Sequence, residues 1–151
     1  MNDTQLLQAL EKEGLLSADA ALKIGREAEL GGQSAEELIY SKRLIDDSKV
    51  AEVKSKIIGI PYQKINIENF DEALIALIPE ETVRTYKVAP IAKEKELLVA
   101  GMVHPDDSKA QETLKFRARR NRLNLGIYLI SQSDWQTVLR KYSPYKSDVE
   151  A

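Results

Sequence analysis

Cysteine is absent from all 151 residues, so a disulfide framework, a thiolate metal site and a cysteine nucleophile are all excluded. No apolar run approaches the roughly 20 residues that a membrane-spanning helix needs. The opening "MNDTQLLQALEKEG" is acidic and amphipathic, unlike the basic-then-apolar order of a secretion signal, and a cytoplasmic protein is expected. Neither G-x-x-x-x-G-K-[ST] nor G-x-G-x-x-G occurs, and no lysine follows the one glycine pair, Gly31-Gly32, at the required distance. ATP hydrolysis by this chain alone is therefore not expected, and no cofactor is called for. A basic excess is missing too. The 22 Lys and Arg stand against 24 Asp and Glu, a formal charge of −2, which argues against non-specific nucleic-acid binding.

What is present suits a soluble globule of one ordinary domain or two small lobes: 43% hydrophobic and 30% charged residues. Leu6, Leu7 and Leu10 share one face of a first helix over 4–12, with Asp3 or Thr4 as its cap and Gly14 as its terminator. Ser17 caps a second helix with apolar Ala21, Leu22 and Ile24, and Gly31-Gly32 ends it. Ser34 and Glu37 form an S-x-x-E box that opens a third helix through Leu38 and Ile39. Asp46 or Asp47 caps a fourth, with Val50, Val53 and Ile57 as its buried stripe. The openings "GLLS" and "RLID" repeat one another, Leu15-Leu16-Ser17 falling on Leu44-Ile45-Asp46. Residues 1–58 thus read as two helix pairs, each helix too short to be stable alone.

The periodicity changes at Pro61. "YQKINI" alternates as a half-buried strand would, and "DEALIALI" reads as a helix ending at Pro79. "TYKVAPI" and "ELLVAGMV" read as a hairpin across the charged turn "AKEKE". A helix, "DDSKAQETLKFRARRN", follows with Ala110, Leu114 and Ala118 on one face. "LGIYLI" is a strand, and "SQSDWQTVLRKY" a last helix with Trp135, Val138, Leu139 and Tyr142 inward. The expected fold is α+β: a bundle of short helices, then a small α/β lobe over 59–142 with a three- to four-stranded sheet. The polar residues 143–151 read as a frayed tail or the start of a linker.

Two stretches invite a chemical reading. His104, the only histidine, stands in "MVHPDD" and could pair with Asp106 or Asp107 in acid–base work or supply half a metal site. The plainer reading is a turn at Pro105 with Asp106 or Asp107 capping the next helix, and it is preferred because no further ligand or nucleophile is at hand. The run "KFRARRNR" carries Lys115, Arg117, Arg119, Arg120 and Arg122 with no acid among them. Cations at a helix C-terminus complement its dipole and stay solvated. Contact with an acidic protein partner or with lipid headgroups is the next reading. Nucleic acid comes last, because Phe116 alone offers a base-stacking ring.

Taken in order, "GLLS" and "RLID", "IGIPY", and "LIPEETVRTYKVAPIAKEKELLVAGMVHPDD" resemble the N-terminal domain of the assembly ATPases of type IV pili and type II secretion, from about Leu6 to Tyr142. Pro105 and Asp107 match that family's Asp-Pro-x-Asp turn, with His104 in place of Asp or Asn. The resemblance implies a non-enzymatic docking and regulatory module, linked to a hexameric ATPase core that this chain lacks. In that family the module attaches the motor to the cytoplasmic part of an inner-membrane platform protein. It would sit in the cytoplasm, peripheral to the bacterial inner membrane through its partners. Lys115, Arg119, Arg120 and Arg122 are the candidate partner contacts.

Some members of that family bind cyclic di-GMP through two tandem motifs resembling R-L-G-x-x-L-[VI]-x-x-G-x-[IL]-[ST], each closed by a distant Gln. The resemblance makes Leu6, Leu10, Gly14, Leu38 and Leu44 the matched positions. It also shows what is missing. Gln5 and Ser34 replace the two arginines, Leu7 and Glu36 the glycines that follow them, and Arg43 the later glycine of the second motif. Ala28 and Ile57 stand at the closing glutamines. An arginine stacks on guanine and pairs with phosphate, and Glu36 sets a negative charge where a dianion would lie. The repeat is therefore expected to be a helical scaffold, with a cyclic di-GMP sensor as the alternative.

Overall fold

The structure is a computed structural model that describes residues 1–142. The chain divides into two compact units, Met1–Gly59 and Ile60–Ala151, each with its own hydrophobic core.

The first unit holds four helices: α1 (Asp3–Lys12), α2 (Ala18–Gly31), α3 (Ala35–Ser41) and α4 (Asp47–Ile58). Their boundaries follow from local chemistry. Ser17, Ser34 and Asp46 accept backbone N–H groups at the starts of α2, α3 and α4. Gly32 and Gly59 end α2 and α4 in the left-handed conformation that glycine adopts at least cost. The cap of α1 is Asn2, not Asp3 or Thr4. Its side chain accepts from Gln5 N–H at 2.8 Å while Gln5 Oε1 accepts from Asn2 N–H at 3.0 Å. Asp3 instead reaches across to accept from Ala35 N–H at 3.1 Å, joining the starts of α1 and α3.

Leu6, Leu10, Ile24, Ala28, Leu38, Ile39, Val50 and Val53 build this unit's core. Leu22 does not join them. It lies about 100° round the helix from the Ala21–Ile24–Ala28 stripe and is 58% exposed. Ile57 is only half-buried.

The second unit differs from expectation at its start. "YQKINI" is not a strand; only Tyr62 bridges to Leu129, and Gln63 N–H donates to the Leu129 carbonyl. The chain then leaves the sheet, with Ile65 N–H held by the Asp134 carboxylate at 2.9 Å. "DEALIALI" forms a short 3₁₀ turn, Glu72–Ala76, rather than an α-helix. After Pro79, α5 (Glu80–Tyr86) takes up the Thr85-Tyr86 that read as strand, and Lys87 closes it with φ 51°.

The sheet has three strands in the order β1 (Val88–Glu94), β2 (Leu97–Met102) and β3 (Asn124–Leu129). β1 and β2 form the expected hairpin, closed by the two residues Lys95 and Glu96 and interrupted by a bulge between Pro90 and Ala92. β2 and β3 run parallel, joined by α6 (Ser108–Arg120), and α7 (Gln132–Tyr142) follows β3. Leu98, Ala100 and Met102 of β2 share a core with Val83, Ala110, Leu114, Ala118 and Val138. Trp135 Nε1 donates to the Val83 carbonyl at 2.8 Å, and the Tyr142 hydroxyl to Ile78 O at 2.8 Å. Gly101 makes room for Ile130, since a Cβ at that position would stand 2.4 Å from Ile130 Cγ2 and force it to shift.

Candidate functional site

The tandem repeat is the first place to look. Its backbone is preserved where its side chains are not. Gly14 and Arg43, each preceding a repeated Leu, have φ 76° and 53°. Arg43 thus holds the left-handed conformation that glycine favours, at a steric cost. Both positions that align with the motif arginines are engaged in capping: Gln5 with Asn2, and Ser34 by accepting from Glu37 N–H at 3.1 Å.

Glu36 corrects the expectation drawn from its charge. It turns into the helical core, where it is 4% exposed. Its Oε2 accepts from Lys54 Nζ at 2.9 Å and from the Tyr40 hydroxyl at 2.7 Å. Lys54, 1% exposed, sits on α4 one residue beyond Val53. Each charge compensates the other, as burial of an ion requires. Burial, then the Glu36 charge, pushes the Tyr40 hydroxyl far above its ordinary value and keeps it a neutral donor.

Of the five matched ligand positions, Leu6, Leu10 and Leu38 come together, but inside the core. Gly14 and Leu44 are exposed in the two repeated turns. Leu44 lines a cleft of about 380 Å³ with Leu15, Leu16 and Ile24, at whose edge Lys42 pairs with Glu27.

A second groove, of about 640 Å³, runs between α1 and α2. Leu22, one of the apolar positions of the second helix, stands in it rather than in the core. Leu7, Ala21, Leu22 and Gly25 form its apolar middle, with Glu11 toward one end and Asp3 and Glu29 toward the other.

In the second unit, His104 stands in the turn that leads to Asp107, whose side chain accepts from the N–H groups of Lys109 and Ala110 and so caps α6. Among the described residues no group of three metal-ligating side chains comes together. Lys115, Arg119, Arg120 and Arg122 are all exposed, and among the described residues none of them forms an ion pair. Phe116 stands among them, 57% exposed. Arg119 and Arg120 lie three and four residues beyond it, on the same face of α6. The result is a basic ridge with one aromatic ring on its crest. No helix among the described residues is long and apolar enough to cross a membrane.

Comparison with known proteins agrees with this architecture. The MshEN domain matches residues 58–149. The type IV pilus assembly ATPase PilB of Myxococcus xanthus (strain DK1622) is 28% identical over 114 residues, covering 74% of this chain and 20% of that protein. The chain thus spans about a fifth of that relative's length. Among solved structures, MshE with cdg superimposes with a TM-score of 0.68 at 17% identity, over 91% of this chain and 97% of that one. The N-terminal domain of XpsE superimposes with a TM-score of 0.65 at 13% identity, over 94% and 96%. At those identities the likeness is one of fold. The chain belongs to the MshEN domain family, the family of N-terminal domains to which its ordered segments pointed.

Proposed function

We propose that this chain is the docking and regulatory module of a pilus-assembly or type II secretion motor, non-enzymatic in itself. It would hold a cytoplasmic, inner-membrane-peripheral position through a platform protein and pass motion to or from an ATPase core. The observation that carries the reading is the membership of the MshEN domain family together with a PilB relative of which the chain spans only a fifth. The basic ridge of α6 supports it, since exposed cations around an exposed ring suit an acidic protein surface. Surface plasmon resonance of the chain over an immobilised cytoplasmic segment of the platform protein tests it. Saturable binding that weakens at least tenfold in Arg119→Glu/Arg120→Glu is expected. Absence of binding, with the variant indistinguishable from the parent, would contradict it.

The alternative is a cyclic di-GMP sensor, favoured by the fold shared with MshE solved with cdg. Against it, Gln5 and Ser34 hold helix starts and offer neither the charge nor the stacking plane of arginine. The repeat is read here as a scaffold.

A further inference from the structure

Gly25 lies in the interior of α2, where glycine weakens a helix relative to alanine. Among the described residues nothing demands it. Its backbone is not left-handed, and an added Cβ would make only ordinary contact, 3.5 Å from Leu7 Cδ1. What Gly25 does is leave the middle of the α1–α2 groove open. Leu22 stands exposed beside it, and acids mark both ends of the groove: Glu11 at one, Asp3 and Glu29 at the other. One surface of the same chain has the complementary character. Phe116 is the only large apolar side chain exposed on the described part of the second unit, and Arg119 and Arg120 flank it with no acidic partner among the described residues.

We propose that the α1–α2 groove of one copy of this chain receives the α6 ridge of a second copy. Phe116 seats over Gly25 between Leu7 and Leu22, and Arg119 and Arg120 reach Glu11 at the end of the groove away from Arg26. Arg26 on the groove and Glu112 on the ridge, one helical turn before Phe116, supply a pair of the opposite sense. Because groove and ridge are different surfaces, the contact is head-to-tail. Repeated, it closes a ring or extends a chain of copies. A patch of this size is weak between free molecules and becomes effective when other contacts hold the copies together. The inference rests on the reading of the ridge as a contact surface and names a partner for it.

Sedimentation velocity of the 151-residue chain at low ionic strength tests this. The weight-average sedimentation coefficient should rise with protein concentration, and the rise should vanish at high salt. Arg119→Glu/Arg120→Glu, and separately Glu11→Lys/Glu29→Lys, should each remain monomeric. An equimolar mixture of the two sets an intact groove against an intact ridge, and a reversed ridge against a reversed groove, and should associate where neither variant does alone. Gly25→Phe should abolish association while keeping the parent's circular dichroism. A parent monomeric at every concentration would overturn the proposal, as would association surviving in both charge-reversed variants or a mixture that stays monomeric. A ridge variant that loses platform binding while the parent never self-associates would overturn this inference and leave the docking reading standing.

Discussion

At the scale of single residues, the charge on Lys54 matters most to the first unit. Removing one partner of a buried ion pair strands the other, which costs about 3–5 kcal/mol. Lys54→Met should therefore lower the urea stability of the helical unit by that order. Adding Glu36→Leu should recover most of the loss, because no buried charge then remains. Tyr40 links the same cluster to pH. Its folded-state ionisation is raised above the ordinary value near 10, so its stabilising contribution is complete below about pH 10 and is lost as the pH rises beyond it. Thermal melts between pH 8 and 11 should show this decline, and Tyr40→Phe should remove the part that belongs to this cluster. None of this could be read from the sequence. Lys54 follows Val53 in a helix whose expected stripe, Val50, Val53 and Ile57, is buried at its first two positions, and only the Lys54–Glu36 pair between α4 and α3 shows that a charged position faces inward.

At the scale of elements, local chemistry was readable wherever it was decided locally. Ser17, Ser34, Asp46 and Asp107 cap the helices that their side chains announced, and the stripe Ala110–Leu114–Ala118 is buried as its spacing required. Failures fall where a distant partner decides. "YQKINI" alternates like a strand, yet after Tyr62 the Asp134 carboxylate takes the Ile65 N–H and turns the chain off the sheet. Thr85-Tyr86 has strand-forming side chains, but Pro79 launches a helix that carries through them. The sheet itself depends on one close approach. Gly101→Ala would drive a methyl into Ile130 and should cost about 1–3 kcal/mol as overpacking, measured as a lowered urea midpoint with an unchanged slope. A stability equal to the parent's would mean that Ile130 moves aside freely.

At the scale of the whole molecule, the chain keeps a repeated backbone while its side chains have been assigned to other work. Gly14 and Arg43 share a conformation, Gln5 and Ser34 cap helices, and Glu36 pairs inside the core. The ordered family segments were legible in the sequence, as was the loss of the motif arginines. The inward turn of Glu36, the open α1–α2 groove and the ring on the α6 ridge were not, because each depends on which way a helix faces. On the reading proposed above, family membership and ligand binding are separate: the repeat would be a scaffold, and contact with other proteins would be the work of the surface. Isothermal titration of the chain with cyclic di-GMP tests that claim most directly. No saturable heat and no shift in melting temperature at high ligand concentration are expected. Binding at micromolar affinity or tighter would contradict it, and would mean that the helical framework recognises the dinucleotide without the two arginines.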